Sequence, residues 1–242
     1  MNSGGPILVI GGTRGTGLLI ARLLVRQGRG VRVFARNRAR ALRLLDPEVE
    51  VVEGDLTKPE TLGPAVDGAR HIIITAGCRS GHPVGEARVK AVEYEGTLAL
   101  LAAAQRASFA GRLLYMTANG LTTPSLLARC LNLWKGNTLI WRRRVEAPIR
   151  SSGLDYTIIR TGVLLNRPGG RHRIRIVQQA LPLAWRHRIA RADVAALFVA
   201  AVDHPQTTRA SFEVVWGPRG QSEALRDLLD QVTPSETQQG IP

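Results

Sequence analysis

A short apolar run that breaks into a glycine-rich turn and then into a helical pattern constrains this chain more than any other feature. Ile7-Leu-Val-Ile10 is followed by Gly11-Gly-Thr-Arg-Gly15-Thr-Gly17 and then by Leu18-Leu-Ile-Ala21. Strand, turn and helix in that order form the opening of a doubly wound α/β fold, with a helix N-terminus aimed at whatever lies beyond the strand. A pyrophosphate placed there must approach backbone N–H groups closely, which requires glycine where a Cβ would block it. On this reading Gly11 makes the turn, Gly15 gives the close approach and Gly17 packs the helix on the strand, with Thr13, Arg14 and Thr16 completing the loop.

The residues after the second strand decide which dinucleotide suits the loop. An acidic side chain there accepts from a ribose 2′-OH, whereas a cation pairs with a 2′-phosphate. Val31-Arg-Val-Phe-Ala35 runs into Arg36-Asn-Arg38 with no carboxylate. Arg36 therefore points to NADP, and Arg14 is expected to reach the same phosphate from the other side, both offering bidentate guanidinium contacts.

Apolar β-branched runs alternate with longer helical patterns through the first two thirds of the chain, as in a parallel sheet covered on both faces. The pattern predicts strands at Ile7–Ile10, Val31–Ala35, Val49–Glu53, His71–Thr75, Arg112–Thr117 and Tyr156–Arg160. It predicts helices at Gly15–Gln27, Arg38–Leu45, Glu60–Val66, Glu86–Ala107 and Pro124–Arg150. Beyond Arg160 the order loosens: Asn166–Arg175 reads as a loop, Arg191–Asp203 as a helix, Ser211–Val215 as a strand and Glu223–Val232 as a last helix. No repeat or low-complexity linker marks a boundary, so residues 1–242 are read as one Rossmann-type domain. Residues 163–190 and 216–242 are then a substrate-side lid and C-terminal tail.

Composition narrows the function classes. Hydrophobic residues make up 44% and charged residues 21% of the chain, with no apolar stretch near the roughly 20 residues of a membrane span. The start reads as a strand rather than a signal peptide, which gives a cytoplasmic expectation. Cys78 and Cys130 lie far apart without neighbours at metal-ligand spacing, so neither a disulfide framework nor a metal site is expected. The net charge of +14 comes almost wholly from scattered Arg, with Lys only at 58, 90 and 135. No stacking aromatics are interleaved, so nucleic acid is not the expected partner.

Further stretches carry a family resemblance. Gly11-x-x-x-Gly15-x-Gly17 has the spacing of the short-chain dehydrogenase/reductase superfamily. Glu53-Gly-Asp55-Leu56, Ile74-Thr-Ala-Gly77 and Ser152-Gly-Leu-Asp-Tyr-Thr-Ile-Ile-Arg160-Thr-Gly162 resemble its atypical, NmrA-like and NAD(P)H-binding branch, which includes biliverdin and flavin reductase-like proteins. The resemblance implies that Asp55 bonds the adenine amino group, that Leu56 packs on its ring, and that Thr75, Ala76 and Gly77 line the adenosine and ribose. It places the backbone after Arg160 against the nicotinamide, with Thr161 standing where relatives usually carry Pro.

Reductases of the superfamily use a Tyr-x-x-x-Lys pair on the helix before strand six. Here those positions fall on Thr138 and Arg142, and an aliphatic hydroxyl without an adjacent base is a poor proton source. Thr117 stands near the family's Ser, where it either bonds a substrate carbonyl or caps a turn. Arg142 either holds the nicotinamide ribose or an anionic substrate, or is a solvated charge. His82, in the loop Arg79–His82, either acts as a general acid or is solvated. Trp134 and Trp141, seven apart, are expected on one helical face, flooring an aromatic pocket or packing the core. The resemblance implies an NADPH-dependent oxidoreductase that passes hydride to a small planar acceptor such as a flavin, quinone or conjugated carbonyl, or performs a tailoring step on a metabolite. The alternative is a non-catalytic NADP-binding redox sensor or assembly factor.

Overall fold

The computed structural model describes residues 4–78, 83–220 and 223–235. Its strands are β1 (Ile7–Ile10), β2 (Val31–Ala35), β3 (Glu50–Glu53), β4 (His71–Ile74), β5 (Arg112–Ala118), β6 (Asp155–Thr161), β7 (Val163–Leu165), β8 (His172–Val177), β9 (Arg188–Ala190) and β10 (Ala210–Arg219). Eight of them form one sheet in the order β3-β2-β1-β4-β5-β6-β10-β8, parallel except for β8 at the edge. The fold is the doubly wound α/β, Rossmann-like architecture.

The middle of the sheet is apolar because it is covered twice. All four residues of β1 are buried, and its neighbours on either side keep strict register, Ile7 opposite both Val31 and His71. Val9 faces one core layer with Val33 and Ile73, while Leu8 and Ile10 face the other with Ile72 and Ile74. Each such side chain contributes roughly 1.5–3 kcal/mol on burial. This periodicity of two holds β1 at the centre and presents the carboxyl ends of β1, β4, β5 and β6 as one rim.

The described helices are α1 (Gly15–Arg26), α2 (Arg38–Leu42), α3 (Gly63–Val66), α4 (Glu86–Val89), α5 (Gly96–Arg106), α6 (Leu126–Trp134), α7 (Thr138–Ser151), α8 (Arg191–Ala201) and α9 (Leu225–Asp230). A π-helical segment, Lys90–Glu95, joins α4 to α5. Such segments shift the helical register and re-aim the side chains they carry.

Three sequence expectations need correction. The helix expected over 124–150 is two helices, since Gly136 and Asn137 both take positive φ between α6 and α7. The break separates the two tryptophans: Trp134 is exposed, whereas Trp141 is buried, donates from Nε1 to Glu86 Oε1 at 3.0 Å and tilts against Tyr94. The loop expected over 166–175 contains the start of β8, which pairs antiparallel with β10 and turns His172, Ile174 and Ile176 to one face of the sheet while Arg173 and Arg175 are exposed on the other. The third is the helix expected over 60–66, which is a 3-10 turn, Pro59–Thr61, followed by the single turn of α3.

Candidate functional site

The glycine turn closes over the carboxyl end of β1. Gly11 has φ +90°, and a Cβ there would lie 2.9 Å from the backbone N of Ala76. A Cβ on Gly17 would lie 2.4 Å from both Gly11 O and Thr75 Oγ1, so α1 sits directly on the turn and on the end of β4. Thr75 reinforces this seam, its backbone N and its Oγ1 both donating to Ile10 O at 2.9 and 3.1 Å. Gly12, which the sequence reading did not single out, lies as close to Val33 of β2.

Gly15 differs from the other turn glycines. Its φ is +53°, and a Cβ there would meet only Arg191 Nη1, at 3.8 Å. The space above it is therefore open, bounded by a guanidinium. Arg14, at the N-cap of α1, provides no side-chain cap, so the first-turn N–H groups stay available to an anion. Thr16 Oγ1 is buried with no partner among the described residues. An open cradle, free amides, an orphaned hydroxyl and a flanking cation fit a bound pyrophosphate. Thr13 lies half-buried in the same turn.

Arg14 does not turn toward β2. Its Nη2 donates to Gly77 O at 2.6 Å, across β1 on the β4 side, so the joint clamp with Arg36 expected from the sequence is not formed. Arg14 instead faces Arg191, whose pKa is lowered by burial and by the Arg14 charge. Arg191 opens α8 and is held by Asn166, Nε to Oδ1 2.8 Å. Only the tertiary packing of α8 on α1 brings it to the glycine turn.

Arg36 is exposed at the end of β2, near Asp55. Burial raises the Asp55 pKa, but Oδ1 accepts from Thr57 N and Thr57 Oγ1, both at 3.0 Å. With Arg36 and Lys58 nearby, the net shift is downward and the carboxylate stays ionised. Leu56 is buried in the core layer beneath Gly96.

On the β4–β5 side the structure gathers a polar cluster around a residue that the sequence reading missed. Glu93, in the π-helical segment, is 3% exposed. Its Oε2 accepts from Thr138 Oγ1 at 2.6 Å and from Arg142 Nε at 2.8 Å, while Oε1 accepts from Cys78 N at 2.8 Å. Burial would raise the Glu93 pKa, but Arg142 and these bonds hold it below its ordinary value. Arg142 also reaches Met116 O, and a Cβ on Gly77 would lie 2.5 Å from its Nη2. Both positions aligned with the family's Tyr and Lys are thus occupied in binding one carboxylate. A charged residue on the buried stripe Val89, Glu93, Thr97 was the available signal.

Lys135, between α6 and α7, is half-buried; burial and then Arg142 lower its pKa, and it is close enough to feel Glu93, Cys78 and Arg14. Thr117 is 1% exposed, and its Oγ1, like that of Thr16, has no hydrogen-bond partner among the described residues. Thr161 Oγ1 donates to Thr117 O, and its backbone continues β6 opposite Val214 and Ala118. Asn119, just past β5, is buried with both side-chain amide atoms unpartnered among the described residues. His82 and the loop Arg79–His82 lie outside the described residues.

Above β6 and β10 runs the segment from β8 to β9. It is tied to the end of β5 by Gly120 N to Leu181 O and by Ser125 Oγ to Leu183 O. Beneath it Glu213 is buried, accepts from Leu181 N and has its pKa pushed up to about 7 by burial, against Arg160.

A family described as NAD(P)H-binding matches residues 11–205. The chain belongs to the NAD(P)H-binding family. Similar proteins include sanguinarine reductase of Eschscholzia californica, 37% identical over 106 residues, covering 42% of this chain and 39% of that protein. The photosystem II assembly factor Ycf39 of Synechocystis is 25% identical over 223 residues, 87% of this chain and 64% of that protein. The chain therefore spans less than two thirds of either relative. The solved structure of the anaerobilin reductase ChuY from Escherichia coli O157:H7 aligns with a TM-score of 0.69 and 23% identity over 87% of this chain and 96% of that one. That likeness speaks for the fold. Among the described residues no helix is long and apolar enough to cross a membrane, and no group of three or more His, Cys, Asp or Glu could hold a metal ion.

Proposed function

We propose that this chain is an NADPH-dependent oxidoreductase that passes hydride to a small planar acceptor without a tyrosine proton donor. The observation that carries the proposal is the open space over Gly15, flanked by Arg191 and linked to the Glu93–Arg142 cluster by the contacts of Arg14 with Gly77 and of Gly77 with Arg142. A nicotinamide cofactor supplies the hydride when bound. Arg36 receives the 2′-phosphate, Arg191 and the first-turn amides of α1 receive the pyrophosphate, and the Asn119 amide meets the polar edge of the ring. Glu93 keeps Arg142 oriented, its Nε on the carboxylate, so only the guanidinium edge turned away from Glu93 is left to meet an acceptor that gathers negative charge. Lys135, half-buried between α6 and α7, has its pKa lowered by burial and by Arg142, which suits proton donation to a reduced acceptor. Residues 163–190 form the acceptor side, with the β8–β9 segment closing over it, whereas α9 leads away toward the start of β10, where Asp230 meets His204 and Ser235 N donates to Arg209 O.

The similarity to a plant reductase supports catalysis. A second reading, an NADP-binding sensor or assembly factor, is favoured by the mutual saturation of Thr138, Glu93 and Arg142. Exposed Leu126, Leu133 and Trp134 on and beside α6, and the similarity to Ycf39, also favour it. Steady-state assay of NADPH and NADH with flavin, quinone and enone acceptors separates the two. The oxidoreductase reading expects turnover with NADPH in preference to NADH. Tight NADPH binding with no oxidation by any acceptor favours the sensor.

A further inference from the structure

A second basic cavity lies on the same rim but at the opposite end of the sheet from Arg36. β10 runs beyond the end of β6 to Arg219, paired there with β8, and the turn between β7 and β8 folds over it. Together they enclose about 330 Å³ lined by Arg167, Pro168, Arg171, His172, Trp216 and Arg219. One buried carboxylate builds it. Asp193, in the first turn of α8, accepts from Trp216 Nε1 at 2.7 Å with one oxygen and from Gly170 N at 2.7 Å with the other. That pair of bonds fixes the indole and the arginine-bearing turn relative to each other. His172 stacks on Trp216 with ring centroids 4.2 Å apart and 18° between planes, which leaves a flat aromatic wall.

The charges in this cavity are unbalanced. Asp193 is spent on the indole and the backbone, and among the described residues none of Arg167, Arg171 and Arg219 makes a salt bridge. Three guanidiniums around one small volume repel each other, and their planar forks match the oxygens of carboxylate or phosphate. The cavity also touches the cofactor cradle through a short relay, since Asn166 precedes Arg167 and holds Arg191 beside Gly15.

We propose that this cavity binds a small polyanionic ligand, carrying two or more carboxylate or phosphate groups, beside the Trp216–His172 wall. Two sources share that chemistry. The anion can be the acidic arm of the acceptor, which rests on the oxidoreductase reading above, or it can be a free effector whose binding is felt at the cradle through Asn166 and Arg191.

Nuclear magnetic resonance of the full chain saturated with NADP⁺, with citrate as the probe, tests the site. The Trp216 indole N–H resonance, assigned with Trp216→Phe, should shift saturably with citrate and not with chloride at equal ionic strength. Arg171→Ala combined with Arg219→Ala should weaken citrate at least tenfold and leave NADPH affinity unchanged. A shift that is absent, that follows ionic strength alone, or that survives in the double variant overturns the proposal. The source is read separately. A raised KM for a carboxylated acceptor but not for its neutral ester assigns the arm, and citrate-dependent NADPH affinity assigns the effector. Citrate binding in a chain that oxidises NADPH with no acceptor leaves this site standing and removes the oxidoreductase reading.

Discussion

Replacing Arg191 with Gln separates binding from folding in a way few substitutions here can. In the folded chain Arg191 carries its charge half-buried and facing Arg14, a combination that lowers its pKa. Without cofactor that charge costs stability, so Arg191→Gln should leave the melting temperature unchanged or raise it. With cofactor the same guanidinium is adjacent to the open space over Gly15 and receives the pyrophosphate. Losing a hydrogen bond to a charged group costs about 1.5–3 kcal/mol, which is roughly 10- to 150-fold in affinity. The pyrophosphate is common to both dinucleotides, so NADPH and NADH should weaken by the same factor. Calorimetric titration of both cofactors, with thermal melts of the cofactor-free proteins, provides the numbers. A variant that binds within twofold of wild type refutes the placement of the phosphates, and one that melts well below wild type shows that Arg191 is structural.

The remaining predictions address the other parts of the site. Arg36→Asp should weaken NADPH by roughly 10- to 150-fold and leave NADH nearly unaffected, read by tryptophan quenching; equal losses would place the 2′-phosphate elsewhere. Thr138→Val should keep at least a tenth of wild-type turnover, because its proton is committed to Glu93, while losing about 1–3 kcal/mol of stability by removing a donor from a buried carboxylate. A turnover loss of 100-fold or more with the fold intact would make Thr138 a proton donor. Lys135→Met should cut turnover about 100-fold, and wild-type turnover should fall as pH rises through the lowered lysine pKa; a flat profile excludes it. Glu213 binds protons more tightly folded than unfolded, so its contribution is complete below about pH 4.5 and is lost as pH rises through about 7. Glu213→Gln should therefore gain on the order of 2–3 kcal/mol over wild type between pH 5 and pH 8 in urea titrations, and parallel pH profiles would contradict this.

The legible part of this protein was the part written in local periodicity. β1, β2, β4, β5 and β6 declare themselves as short apolar runs because each is buried on both faces, and the turn after β1 declares itself because glycine recurs where backbone must approach backbone. β7 and β9 have three residues each, too few to show a period, and β8 hides among arginines because one of its faces is exposed. The α6–α7 break was missed because Gly136-Asn137 interrupts an otherwise continuous helical pattern. Glu93 became a site residue only through packing across 45 and 49 positions, onto Thr138 and Arg142, and Arg191 only through the packing of α8 on α1. Arg36 could be read from the end of the second strand, whereas Asp55, close to it in space, is reached only through the family resemblance.

Hydride transfer itself tests the central claim most directly. The chain is incubated with NADPH deuterated at one C4 position and with each planar acceptor, and the product and the recovered nicotinamide are analysed by mass spectrometry. The account predicts that NADPH oxidation is stoichiometric with acceptor reduction, that one C4 face alone donates, and that Gly15→Val abolishes both. Retention of label in NADPH across the whole acceptor series, by a chain that binds the cofactor tightly, would contradict it.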